Sequence, residues 1–370
     1  MSEQAITVPI KIAIVGVGNC ASSLVQGISF YREKANSVFD GIMCQDIDGY
    51  TPSDIEVVTA FDVDRRKVGK PICEAIFALP NCTRVFQETI YKGDVKVSMG
   101  PILDGVAPHM ADYGEHEAYR VADLASVDVT QMLKDSGAEV LVNYLPVGSE
   151  KAVRFYAQSA LDAGVAFVNC VPVFIASDPV WADKFKKKGL PIIGDDIKSQ
   201  VGATITHRML TDLFEKRGYK LKRTYQLNTG GNTDFLNMLS QERLKSKKQS
   251  KTNSVQSQLA VPLSPENIHI GPSDYVPWQK DNKIAFIRLE GEGFGGAPIE
   301  LEMRLSVQDS PNSAGVVIDA IRCAKLALKL NLSGPLQAPS ACYMKTPPQQ
   351  MQDHEAFQAL NEFIVKQNQR

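Results

Sequence analysis

Four stretches of this chain concentrate residues that can act on anions. Gly194-Asp195-Asp196-Ile197-Lys198-Ser199-Gln200 crowds two carboxylates and a lysine at a strand end ahead of a helix. Structural loops rarely gather charge this way without a ligand or ion; the plainer reading is a helix-capping cluster. Gly230-Gly231-Asn232-Thr233-Asp234 follows a strand, and its two glycines imply close backbone approach to something. Lys247 and Lys251 stand four apart in a stretch, Leu236–Lys251, that reads as helical at least in part, so they would share one face. Taken alone, a lysine-rich helix is more often a solvated face. Asp281 and Lys283 precede the strand IAFIRL, and Lys345 sits in YMKTPP.

A different chemistry is signalled near the start. Gly16-Val17-Gly18-Asn19-Cys20-Ala21 is a GxGxxA variant directly after a strand and opening a helix. The first glycine permits a tight turn, the second lets backbone approach a pyrophosphate, and Ala21 still allows close helix–sheet packing. The helix N-terminus offers unpaired N–H groups and a positive dipole end to the phosphates. The second strand ends in Asp62, an acid placed to accept from the adenosine ribose hydroxyls and to repel a 2′-phosphate, which favours NAD over NADP. Asp62 lies 44 residues after Gly18, so a loop over 35–54 must intervene, and Arg65 and Arg66 follow closely enough to blur the NAD preference. Leu145-Pro146-Val147-Gly148 follows a central strand and precedes a helix, where loops lie over a cofactor, although an ordinary connection reads the same way.

The elements that must position these groups fall into two textures. Strands are expected at Ile10–Val15, Ile55–Phe61, Val140–Tyr144, Ala166–Asn169 and Pro191–Gly194. They alternate with helices at Asn19–Lys34, Val129–Ser136, Ser149–Ala163 (capped by its serine) and Pro179–Lys188, and Val63–Phe77 reads as mostly helix. That alternation predicts an α/β fold with a Rossmann-type, doubly wound parallel sheet. Residues 81–127 hold an expected hairpin (TRVFQETIYKGDVKVSMGP) and read as an insertion. From Leu221 the strands lengthen and alternate: Arg223–Asn228, Ile284–Leu289 and Ile299–Val307, the last two joined by a turn at Gly291–Gly296. This is the pattern of an inserted α+β domain with a mainly antiparallel sheet. Asp309–Leu330 returns to helix, and the tail from TPPQQ is a loop followed by a short helix. The expected division is 1–200 for nucleotide binding, 201–315 for catalysis and oligomerisation, and 316–370 for a helix and tail that return to the first domain.

Composition narrows the function classes. The 370 residues are 44% hydrophobic and 22% charged, ordinary for a globular chain. A net charge of −2 favours neither nucleic acid nor an acidic membrane as partner, so an anion site must be built locally. Seven cysteines, odd in number, widely spaced and without a CxxC, fit reduced thiols in a cytoplasmic protein. The N-terminal segment lacks the basic and apolar regions of a signal peptide, and no apolar run approaches the length of a membrane span.

In order, VGVGNCASSLVQG, LPVGSE, GDDIKSQVGAT, GGNTDFLNM, SKKQSKT and DSPNSAG resemble the myo-inositol-1-phosphate synthase family, over about residues 10–350 and most closely its short bacterial and archaeal members. The resemblance implies NAD as cofactor and glucose 6-phosphate as substrate, isomerised to 1D-myo-inositol 3-phosphate without net redox change. C5 is oxidised, the ketone acidifies C6, the C6 enolate attacks the C1 aldehyde, and C5 is reduced again.

By motif, the resemblance makes Lys247 and Lys251 contacts of the substrate phosphate and C5 oxygen, and Lys283 and Lys345 further active-site lysines. Asp196 and Asp281 would orient them. Gly16, Gly18, Asn19, Cys20, Asp62, Pro146, Tyr156, Asp195, Ser199 and Asp234 would line the cofactor. It implies a homo-oligomer, usually a tetramer joined through the antiparallel sheet, and for short members a divalent cation, for which only Asp309 and Ser310 suggest a place. One departure concerns the C6 proton. Where eukaryotic members carry a further lysine, this chain has Ile205-Thr206-His207-Arg208. Arg208 would then supply the charge, or His207 the acid and base. Two other readings fit the same architecture, a net NAD-dependent dehydrogenase and a non-catalytic NAD sensor, but neither needs the lysine cluster.

Overall fold

The structure, a computed structural model, describes residues 8–34, 38–240, 243 and 245–365. The first seven residues, part of the expected loop over 35–54, part of the expected helix Leu236–Lys251 and the last five residues lie outside these.

A seven-stranded parallel sheet runs in the order β11-β6-β5-β4-β1-β2-β3. Its strands are β1 (Ile10–Val15), β2 (Ile55–Asp62), β3 (Val97–Met99), β4 (Val140–Asn143), β5 (Ala166–Asn169), β6 (Pro191–Ile193) and β11 (Gly334–Pro335). The central strands are buried on both faces, which is why they read as unbroken apolar runs. The strand order reverses between β1 and β4, so the crevice beyond their carboxyl ends is where such sheets bind ligands. Helices α3 (Val129–Ser136), α4 (Glu150–Ala163) and α5 (Pro179–Lys187) share a core with one face. On the other lie α1 (Asn19–Glu33), α9 (Asp309–Lys329), α10 (Gln337–Tyr343) and α11 (Asp353–Val365).

A second sheet is ordered β10-β9-β7-β8, from β7 (Lys220–Gly230), β8 (Ile268–Tyr275), β9 (Asn282–Glu292) and β10 (Pro298–Gln308). Two pairings are antiparallel and β7–β8 is parallel. Helix α6 (Ala203–Lys216) packs Ala203 and Phe214 against Leu221, Ala285, Ile287 and Leu289. Helix α9 begins at the residue after β10, so the second sheet delivers the chain directly to the crevice.

Two expectations are corrected, and one strand is added. Val63–Phe77 is mostly turn, with one short helix, α2 (Ile72–Ala75). The fully buried Asp64 accepts from the Arg66 N–H and side chain, Gly69 takes φ +79°, and Pro71 has no N–H to donate, so a helix cannot start sooner. The hairpin over 83–101 does not form. Its first half bonds to α1 instead: Phe86 N and Gln87 N donate to Gln26 Oε1, and Tyr91 N to Ser29 Oγ. Its second half is β3, which pairs in parallel with β2. Strand β8 escaped the sequence reading because Gly271 and Pro272 interrupt its alternation; it lies at a sheet edge, where such residues are tolerated. Among the described residues no helix is long and apolar enough to cross a membrane.

Candidate active site

A deep cleft opens beyond β1 and β4, with about 1840 Å³ of empty space including its mouth. Gly16, Gly18, Asn19, Cys20, Asp62, Pro146 and Tyr156 line one part of it; Asp196, Ser199, Asp234, Lys247, Lys251, Lys283 and Lys345 line the rest.

The glycine-loop end is built by close backbone approach. Gly16 has φ +87°, and a Cβ there would stand 2.6 Å from the Tyr144 carbonyl oxygen. Gly18, the residue before α1, faces open space, and no side chain caps the helix. Asp62 is pinned by backbone: Oδ2 accepts from Val17 N at 2.7 Å, and Oδ1 from Val63 N and Asp64 N. Arg66 is paired with Asp64 at 2.6 Å and Arg65 with Glu115, so both arginines beside Asp62 are engaged elsewhere. Lys67, which the sequence did not flag, is buried at the cleft wall and donates to Val17 O and Asn81 Oδ1. Tyr156 packs on Phe61, and its hydroxyl fits only because residue 100 is glycine. The Tyr144 hydroxyl is buried in the cleft without a partner among the described residues. An open Gly18, an uncapped helix, a pinned acid and an orphaned hydroxyl are what a dinucleotide would complete.

At the other end four lysines converge. A short helix, α7 (Thr233–Asn237), carries Asp234, and helix α8 (Lys245–Gln256) carries Lys247 and Lys251. Lys247 Nζ is 2.9 Å from Asp234, Lys283 Nζ 3.2 Å from Asp309, and Lys345 Nζ 2.9 Å from Asp196. Burial works against the charge on Lys247, but the Asp234 carboxylate, together with Asp196 and Asp309, outweighs it and the pKa is raised. Burial lowers the pKa of Lys345, with Asp196 offsetting part of the effect. Lys251 has no carboxylate partner among the described residues. Burial, then the charges of Lys247, Lys283 and Lys345, drive its pKa well below the ordinary lysine value.

Several assignments are corrected by this geometry. Asp281 touches none of these lysines: it accepts from Asn232 Nδ2, Thr83 Oγ1 and the Ser310 N–H and hydroxyl. Asp309, not Asp281, is the carboxylate that pairs with Lys283. Asp195 is fully buried and turned from the cleft, receiving Asn169 Nδ2, the N–H groups of Ile175, Ala176 and Ser177, and the Ser177 hydroxyl. Lys198 also turns inward, to the carbonyls of Ala341 and Cys342. Half of GDDIKS is therefore structural, and only Asp196 and Ser199 of its charged and hydroxyl groups reach the cleft. The close approach at Gly230 and Gly231 is to Phe235 and to the chain at 276–280, not to a ligand.

Neither His207 nor Arg208 lines the cleft. His207 is buried between Thr224 Oγ1 and Gln226 Oε1, and burial lowers its pKa to about 4. Cys20 does line it, but burial and the Asp309 charge push its thiol up to about 12, so it is a poor nucleophile. Among the described residues no group of three or more His, Cys, Asp or Glu side chains is placed to hold a metal ion. Asp309 and Ser310 are engaged with Lys283 and Asp281.

A family model described as myo-inositol-1-phosphate synthase matches residues 202–310. The chain is 55% identical over 369 residues to the inositol-3-phosphate synthase of Mycolicibacterium smegmatis, covering 98% of this chain and 99% of the relative. It is 52% identical over 367 residues to that of Corynebacterium glutamicum, covering 97% and 99%. A solved structure, a myo-inositol-1-phosphate synthase-related protein from Thermotoga maritima, matches with TM-score 0.81 at 25% identity over 96% of this chain and 98% of that one.

Proposed function

The chain belongs to the myo-inositol-1-phosphate synthase family, and we propose that its cleft isomerises glucose 6-phosphate to 1D-myo-inositol 3-phosphate with NAD held at the glycine-loop end. The observation that carries this reading is the convergence of four lysines, one without a carboxylate partner among the described residues, on the crevice that the glycine loop opens. Substrate and product have the same composition, so a hydride taken from C5 must be returned. NAD, when bound, supplies the acceptor and then the donor of that hydride. Gly16, Gly18, Asn19 and Cys20 shape the pyrophosphate seat, Asp62 accepts from the ribose, and Pro146 and Tyr156 wall the cleft. The engagement of Arg65 and Arg66 supports NAD over NADP.

The lysines divide the remaining work. A phosphate dianion and an enolate both need cations fixed before the charge develops. Lys247, kept charged by Asp234, and Lys283, paired with Asp309, are such cations. Lys345, steered by Asp196, holds the C5 oxygen as it passes between hydroxyl, ketone and enolate. Lys251 is the group that changes protonation within the cycle, because its neutral form is the one burial favours. Lys251 takes the C6 proton, the C6–C1 bond forms, and that proton passes to the aldehyde oxygen, which becomes a hydroxyl; the C5 hydroxyl proton lost with the first hydride goes to water, and one returns when C5 is reduced.

Purified protein given glucose 6-phosphate and NAD is expected to yield inositol phosphate by phosphorus NMR with no net rise in NADH absorbance. NADH rising in step with an oxidised sugar phosphate, and no inositol phosphate, would move the chain to the dehydrogenases.

We further infer a homotetramer joined through the outer face of the second sheet. Leu227 and Phe286 pair across β7 and β9 and stand exposed there. Sedimentation equilibrium is expected to give four chains; a monomer would remove the inference.

A further inference from the structure

The structure assigns Arg208 and Asp353 a positioning role that rests on the synthase reading: we propose that their buried ion pair fixes where Lys251 and Lys345 stand in the cleft. Arg208 is fully buried, and every nitrogen of its guanidinium has a partner. Nε donates to both oxygens of Asp353 at 3.1 and 3.0 Å, and Nη2 lies 2.9 Å from Asp353 Oδ1. Nη2 also donates to Met351 O at 2.9 Å. Nη1 donates to Ser254 O at 2.6 Å, and to the hydroxyls of Ser254 and Ser257. One side chain on α6 thus grips the last turns of α8 and the start of α11.

Those two attachment points are not arbitrary. Ser254 lies three residues after Lys251 and four after Ser250, and all three are buried on one face of α8. Ser250 Oγ donates to Asp196 Oδ2 at 2.7 Å, and Asp196 Oδ1 receives Lys345 Nζ. Thr346, next to Lys345, meets Ser250 Oγ at 2.8 Å. On the other side, Met351 and Asp353 anchor the chain six and eight residues after Lys345, and Gln350 Nε2 returns to Lys345 O at 2.7 Å. Lys198 Nζ, 3.6 Å from Asp353 and bonded to Ala341 O and Cys342 O, braces the same carboxylate from β6's end of the parallel sheet.

The helix carrying Lys247 and Lys251 and the segment carrying Lys345 come from distant parts of the chain. Among the described residues, the Arg208 fork and the Ser250–Thr346–Asp196 contacts join them and hold them in register. A planar, permanently charged fork suits this task better than a lysine would, because it spans acceptors on Asp353, Met351, Ser254 and Ser257 at once. This gives the position after Gly202-Ala203-Thr204 a use without bringing it into the cleft. Displacing an ammonium by about 1 Å can cost on the order of 100-fold in rate, so a residue outside the cleft can matter to turnover.

The test uses Asp353→Asn and Arg208→Lys in the full chain, with three readouts: NAD affinity, kcat for inositol phosphate, and KM for glucose 6-phosphate. NAD affinity reports on the glycine-loop end, which neither residue touches. For Asp353→Asn, NAD affinity is expected to stay within about twofold while kcat falls on the order of 10- to 100-fold. Arg208→Lys, which keeps charge but loses the fork, should fall in between, and Asp353→Glu should recover part of the loss. If Asp353→Asn does not fold, the split is read on Arg208→Lys alone. Unchanged kcat in folded variants overturns the proposal, as does a loss of kcat and NAD binding in the same proportion, which marks mere loss of folded protein. A wild-type enzyme that makes no inositol phosphate fails the synthase reading instead, and the inference with it; unimpaired variants beside an active wild type fail the inference alone.

Discussion

Replacing Lys251 by methionine is expected to lower kcat on the order of 100- to 1000-fold, the scale seen when a fixed electrostatic donor is removed from an active site, while making the folded chain more stable at neutral pH. The two effects share a cause. Lys251 is buried among Lys247, Lys283 and Lys345 with no carboxylate partner among the described residues. Its folded pKa is below its unfolded one, so the native state binds fewer protons between the two values. The penalty is therefore full below the folded pKa and fades as pH rises towards the ordinary lysine range. Methionine fills similar volume and removes the penalty, so thermal unfolding should move upward, most at low pH. The same reasoning makes substrate binding proton-linked. A dianionic phosphate raises the pKa of Lys251 back towards the working pH, so glucose 6-phosphate should draw a fraction of a proton onto Lys251 and leave neutral lysine to take the C6 proton. At about pH 8 the sugar phosphate is already dianionic, its second pKa being about 6. Calorimetry in two buffers of different ionisation enthalpy should then show proton uptake in the wild type and none in the variant. Equal heats in both buffers for the wild type would remove Lys251 as the group that changes protonation.

What could be read from sequence depended on whether a residue's partner was near it in the chain. The glycine loop, the buried strands and the acid at the end of β2 are local signals, and they led directly to the parallel sheet and its crevice. The four lysines came from motif resemblance, and the cleft does gather all four. Their carboxylates were harder to assign. Asp281 is two residues from Lys283, which suggested a pair, but it stands in the turn before β9, where that spacing does not decide what a side chain meets. Asn232, Thr83 and Ser310 reach Asp281 from three other segments, while Asp309 comes to Lys283 from the start of α9. Asp195 and Asp196 are adjacent and look alike in sequence, but Asp196 has φ +64° and the two carboxylates point to different places. The hairpin failed for a related reason. The polar residues Ser22, Ser23, Gln26 and Ser29 on α1 are buried, and three of them bond to the 83–91 segment. That polar stripe on an otherwise apolar helix was the available sign that a loop, not a strand pair, would cover it.

The glycine loop yields the second large expected effect, and it separates two reasons for a glycine. Gly16 has φ +87° and a Cβ there would lie 2.6 and 2.8 Å from the Tyr144 carbonyl oxygen and carbon. Neither backbone can yield without disturbing the junction of β1 and β4, so Gly16→Ala should cost both stability and NAD binding. Strain in the left-handed region adds roughly 1–2 kcal/mol and overpacking about 1–3 kcal/mol. Gly18 differs. Its φ of −90° is open to any residue, and a Cβ there would meet nothing within 4 Å. Nothing in the protein itself requires glycine at this position. The requirement must come from a molecule that approaches the backbone more closely than a methyl group allows, which is what a pyrophosphate on the N-terminus of α1 would do. Gly18→Ala should therefore leave the melting temperature of the ligand-free chain unchanged or raise it, since alanine restricts the unfolded chain by about 0.4–1 kcal/mol. The same change should weaken NAD by about 5- to 150-fold, the equivalent of 1–3 kcal/mol of steric conflict. Melting curves with and without NAD, run on both variants, check the pair. A Gly18→Ala chain that binds NAD like the wild type would place the pyrophosphate somewhere other than the first turn of α1.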